Sequence, residues 1–184
     1  MKKGFKGGFD RSIALRRTVL ISILIALAMV LSYLEALVPP IVPIPGVKLG
    51  LANCVSVFAL YSLGAADSSL IGILRVCLSA LLFGNAVGLA YSLCGAFLSL
   101  LMMVLVKRTG LFSTVGVSVV GGVCHNLGQV LCAMAIMETA GLITYLAPLL
   151  ISGTVAGVGI GVLAGIISNK TKKQISGFLG KRKS

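Results

Sequence analysis

Apolar residues run along this chain in long uninterrupted blocks, and most charged residues gather at the ends of those blocks. A helix needs about 20 mostly apolar residues to cross the ~30 Å hydrocarbon layer of a bilayer. Residues 18–38 meet that requirement and are closed by Pro39 and Pro40. Two shorter segments follow, 49–66 and 68–83, parted at Gly64-Ala65-Ala66-Asp67. Residues 85–106, 114–137 and 146–168 form three longer ones. The pattern predicts an all-α integral membrane protein, a bundle of six transmembrane helices over 18–168, between basic tails at 1–17 and 169–184. A signal peptide is the alternative for the first segment, but its apolar run is longer than an h-region, and prolines follow it instead of an A-x-A site.

Composition agrees with this reading. Hydrophobic residues make up 58% of the 184 and charged ones 11%, against ~25% charged in a soluble domain. The net charge of +12 on its own fits nucleic acid or an anionic membrane surface. The apolar excess decides for membrane lipid and against nucleic acid. Basic residues also set orientation, because cytoplasmic loops are enriched in Lys and Arg. Lys2, Lys3, Lys6, Arg11, Arg16 and Arg17 precede the first segment; Lys170, Lys172, Lys173, Lys181, Arg182 and Lys183 follow the last; Lys107 and Arg108 follow the fourth. With six spans all of these fall on one side, so a multi-pass membrane protein with both termini cytoplasmic is expected. Lys48 falls on the other side, and Arg75 falls midway along the third segment.

Small residues at four-residue spacing let helices approach closely in lipid. The last segment has Gly153, Gly157, Gly161 and Gly165; the fourth starts with Gly84, Gly88, Ser92 and Ala96; the first has Ala28, Ser32 and Ala36 on one stripe and Ser22 and Ala26 on another. Each series serves packing inside one bundle or docking of a separate subunit.

Polar side chains inside a span are costly and usually face the bundle interior or a cavity. Arg75 either snorkels to an interface or supplies a fixed cation for a carboxylate or phosphate. In the fifth segment His125 and Gln129 are one helical turn apart and Asn126 adjoins them, so all three project to one side. They form an interhelical hydrogen-bond network or line a ligand pocket. Asn53, Asn85 and Glu35 fall with them in the outer half of the predicted bundle, a one-sidedness that favours a pocket opening outward. The candidate ligand-binding set is Asn53, Arg75, Asn85, His125, Asn126 and Gln129. Pro39, Pro40, Pro43 and Pro45 stiffen the first outer loop, which caps that pocket or serves as a connector.

Other chemistry is excluded. The four acids, Asp10, Glu35, Asp67 and Glu138, stand far apart, whereas magnesium-diphosphate sites need clustered carboxylates. One histidine and five cysteines without CxxC spacing make no zinc site. No catalytic residue, metal or cofactor is expected.

The run Pro45-Gly46-Val47-Lys48-Leu49-Gly50-Leu51-Ala52-Asn53, then Leu74-Arg75 with Phe83-Gly84-Asn85, then His125-Asn126-Leu127-Gly128-Gln129, resembles the bacterial Gx transporter family. That family is also labelled heptaprenyl diphosphate synthase component I. It is similar in layout to the substrate-binding S components of energy-coupling factor transporters. The resemblance implies an S-component-like bundle that binds a small molecule and works with a coupling subunit and ATPases. It also implies that Ala28, Ser32 and Ala36 contact the coupling subunit. The alternative label implies a non-catalytic membrane partner of a polyprenyl synthase catalytic subunit. The chain has no GxxxxGK[ST] loop, so the energy for any ATP-driven transport must come from another chain.

Overall fold

A computed structural model describes residues 3–37, 51–83 and 86–180, with side chains described throughout except at 3–10, 35, 36 and 83. The described residues form six α-helices: α1 (Lys3–Leu37), α2 (Leu51–Ser62), α3 (Ala65–Phe83), α4 (Ala86–Thr109), α5 (Thr114–Met137) and α6 (Leu146–Phe178). A 3-10 turn, Ala140–Tyr145, leads into α6. Five of these segments are long and apolar enough to cross a membrane. The sixth, α2, has 12 residues and so measures about 18 Å, short of the expected full span.

Local chemistry sets the helix ends. Gly64 at φ 115° takes a conformation that L side chains rarely adopt. The α2–α3 break is therefore sharper than the four-residue turn expected, and α3 already begins at Ala65. Ser113 caps α5 by accepting a hydrogen bond from the Gly116 amide at 3.3 Å, satisfying one of the first turn's orphan donors. Gly110 (φ 69°) and Gly180 (φ 65°) follow α4 and α6 in the left-handed conformation typical of C-terminal caps. Both outer helices run well beyond the predicted spans. Lys and Gln are good helix formers, so the basic segment at 169–178 continues α6, and α1 likewise begins at Lys3.

The core divides around α2. Cys54, Val57 and Leu60 pack with Leu100, Met103, Val117, Ile160 and Ala164 from α4, α5 and α6. Val55 and Ala59, on its other side, pack with Leu24, Ala28 and Ile71 from α1 and α3. The short helix is thus covered on both sides. Surrounding helices leave large apolar side chains exposed, including Ile23, Leu81, Phe97, Leu131 and Ile151. A surface of that kind suits lipid rather than water.

Glycine brings α4, α5 and α6 into backbone contact. A Cβ on Gly122 would lie 2.5 Å from the Gly153 carbonyl oxygen, one on Gly157 2.7 Å from Val119 Cα, and one on Gly161 2.6 Å from Val115 Cα. The ridge therefore packs inward on α5. At Gly165 the nearest atom, Thr114 Cβ, would be 3.7 Å away, an ordinary contact that does not require glycine. Gly128 of α5 meets Cys94 O and Gly95 of α4 in the same close manner. The expected α4 series missed Gly95 by one position, and its Gly84 lies outside the described residues.

Polar contacts tie the basic segments to one end of the bundle. Arg17 donates to both Asp67 carboxylate oxygens, at 2.9 and 2.6 Å. Arg16 Nη1 donates to the Phe178 carbonyl at 3.2 Å and its guanidinium lies over the Phe178 ring. Lys107 Nζ donates to the Leu60 carbonyl at 2.5 Å and sits 4.6 Å from the Tyr61 ring centre. The start of α1 and the ends of α4 and α6 thus share this basic end.

Candidate functional site

Tight α4–α5–α6 packing on one side and the α1–α2–α3 group on the other leave a cavity between them. It is lined by Asn53 and Val57 of α2, Arg75 of α3, Ser99 and Met103 of α4, and a face of α5 from Ser118 to Gln129; Gly153, Ala156, Gly157 and Ile160 of α6 close it. Gly121, Gly122, Gly153 and Gly157 are among its lining residues. Where helices meet without side chains between them, neighbouring polar groups are left facing open space.

Asn53, Arg75, His125, Asn126 and Gln129, expected from the sequence, all line this cavity. Asn85 lies outside the described residues, as do Lys48 and the proline-rich connection, and no side-chain description covers Glu35. Arg75 is half-buried near the middle of α3, and its Nη2 donates to Asn53 Oδ1 at 3.2 Å. This bond joins α2 to α3 and steadies the guanidinium at the cavity wall. Asn126 Nδ2 donates to the Leu149 carbonyl in the first turn of α6 at 2.6 Å. One of its amide donors is therefore committed to holding α5 against α6. His125 and Gln129 flank Gly95 of α4, where an added Cβ would meet Gln129 Cγ and the His125 carbonyl at 2.8 Å. Gly95 thereby makes room for both side chains.

Sequence reasoning missed Ser99, Ser118 and Met103. Ser99 and Ser118 are buried and bring hydroxyl groups to the deeper part of the cavity. Their signal was weak, because a serine inside a span is common and does not by itself mark a site. The cavity measures about 60 Å³. At the ~10–15 Å³ that one water requires by this measure, it holds about four to six waters or a small polar group.

Ala28, Ser32 and Ala36, the stripe that the resemblance implies contacts a coupling subunit, lie on α1. Ala28 is fully buried against α2 and α3, where its small side chain lets α1 approach α2 closely. Ser32 is half-buried, and the Ala36 side chain lies outside the described residues. The second stripe, Ser22 and Ala26, is the exposed one. Among the described residues, no group of three or more His, Cys, Asp or Glu gathers to hold a metal ion. Asp67 is bound by Arg17 at the basic end, away from the cavity.

No curated protein and no solved structure matches the chain. Residues 24–167 match the family described as heptaprenyl diphosphate synthase component I. That stretch is most of the chain and includes every described cavity residue, so this membrane-type helical protein belongs to the heptaprenyl diphosphate synthase component I family.

Proposed function

We propose that this chain is a non-catalytic, membrane-embedded subunit that binds a small molecule carrying an anionic group. The carrying observation is the convergence of Arg75, Asn53, His125, Asn126 and Gln129 on one cavity in an otherwise apolar bundle. Burying these groups in a membrane protein is costly, and packing alone does not account for an arginine among them. Arg75 anchors the anion through charge-assisted hydrogen bonds, and the Asn and Gln amides and His125 read the ligand's remaining polar atoms.

In this reading α2 counts as a sixth, short span and the bundle is S-component-like. The basic end faces the cytoplasm by the positive-inside rule. Asn53 and Gln129 lie toward the opposite end of their helices, so the ligand enters from outside, and a separate ATPase-driven coupling module supplies the energy for transport. The family name favours a second reading, a membrane partner that holds a polyprenyl synthase catalytic subunit at the bilayer without catalysing the reaction itself.

The test is purification of the native and Arg75→Gln proteins in mild detergent, with mass spectrometry of the small molecules and proteins retained. A small anion held by the native protein and reduced at least about tenfold in the variant, the effect of losing one charge-assisted contact, supports the binding reading. Equal retention rejects Arg75 as the anchor. Co-purifying ATPase subunits favour transport, and a prenyl synthase favours the second reading.

A further inference from the structure

We propose that the basic end of the bundle is a binding surface for anionic phospholipids, with acyl chains lying on exposed apolar stripes and headgroup phosphates on the cations that terminate them. The pattern recurs on three helices. On α4, Leu101 and Leu105 are exposed and Arg108 follows on the same face, one turn beyond Leu105. On α6, Leu163, Ile166 and Ile167 are exposed, and Lys170 follows three and four residues after the two isoleucines. On α1, exposed Val19 and Leu15 lead back to exposed Arg11, four residues before Leu15. Residues three and four apart share a helix face, so each apolar stripe leads directly to a cation.

Two further features belong to the same end. The α4–α5 connection exposes Leu111 and Phe112 just after Arg108, which suits insertion at the boundary between headgroups and acyl chains. The C-terminal part of α6 keeps Lys172 and Lys173 exposed while Leu179 is buried. It is pinned at Phe178 by Arg16, so its lysines are held in place on an ordered helix. The one carboxylate described at this end, Asp67, is buried and doubly bonded by Arg17, and so does not offset the surrounding positive field. A single acidic protein would be met by one flat patch of charge. Cations that end lipid-facing stripes on three helices suit individual phospholipids, and clustered juxtamembrane Lys and Arg attract anionic lipid in general.

The experiment uses the full chain in detergent with added phosphatidylglycerol or phosphatidylcholine, read by native mass spectrometry. The wild type is expected to retain phosphatidylglycerol at least about tenfold better than phosphatidylcholine. Lys170→Gln/Lys172→Gln/Lys173→Gln should lose the part of that preference carried by α6, whereas the matching triple Lys→Arg variant should keep all of it, which separates charge from folding. Excess inorganic phosphate should not displace the lipid. Equal retention of the two lipids, loss of the preference in the Lys→Arg variant, or displacement by free phosphate would each overturn the proposal. None of these outcomes depends on the interior cavity.

Discussion

Substituting alanine for Gly122 tests the packing that frames the cavity. Its new methyl carbon would lie 2.5 Å from the Gly153 carbonyl oxygen, and the obstacle is helix backbone. Ordinary contact begins near 3.4 Å, so α5 and α6 must part by about 0.9 Å at their crossing. Overpacking that forces backbone shifts costs about 1–3 kcal/mol. Gly159→Ala is the control, because a Cβ there meets nothing within 4 Å, and alanine in place of an unconstrained helical glycine is favoured by ~0.5–1 kcal/mol. Both substitutions gain that preference, so it cancels, and the two variants should differ by the overpacking cost alone, about 1–3 kcal/mol. Unfolding in mixed micelles of increasing sodium dodecyl sulfate content, followed by far-UV circular dichroism, measures the difference without tryptophan, which the chain lacks. If Gly122→Ala and Gly159→Ala prove equally stable, α5 and α6 do not cross on the glycine ridge and the cavity wall is wrongly built.

Two further substitutions address named contacts in the same assay. Arg17→Ala strands the buried Asp67 carboxylate and should destabilise by about 1–3 kcal/mol; Asp67→Asn should cost less, because Arg17, whose side chain is 52% exposed, keeps access to water and its pair is in part a surface one. Asn126→Ala removes the bond to the Leu149 carbonyl and should cost about 0.6–1.7 kcal/mol, the range for interhelical hydrogen bonds in membranes. An unchanged midpoint would mean that another group takes over that carbonyl.

Much of this architecture was legible because lipid simplifies the pattern. The limits of α5 and the start of α6 follow from the ends of apolar blocks, with few competing signals. The length of α2 was not legible. Its apolar run meets a composition test equally well whether the residues face lipid or other helices, and only the packing shows Val55 and Ala59 turned one way and Val57 and Leu60 the other. The basic tails read as flanks by charge, yet charge does not stop a helix, and α6 continues to Phe178.

The site divides in the same way. His125, Asn126 and Gln129 share a face by helical spacing alone, so their grouping was predictable. That Arg75 and Asn53 meet them across the bundle depends on where α2 and α3 pack, which no local spacing encodes. The small-residue stripes were ambiguous for a related reason. Glycine spacing permits close approach without naming the partner, and here the partner of Gly153 and Gly157 is α5, while Ala28 is taken up by α2 and α3.

The central claim is that Arg75 and the α5 polar face hold a small anionic ligand. Its most direct test is an experimentally determined structure of the protein purified with its co-purifying molecule. Density for a small molecule is expected between Arg75, Asn53 and His125, with an acidic group at the guanidinium. A ligand bound elsewhere, with ordered water alone in the cavity, would contradict it.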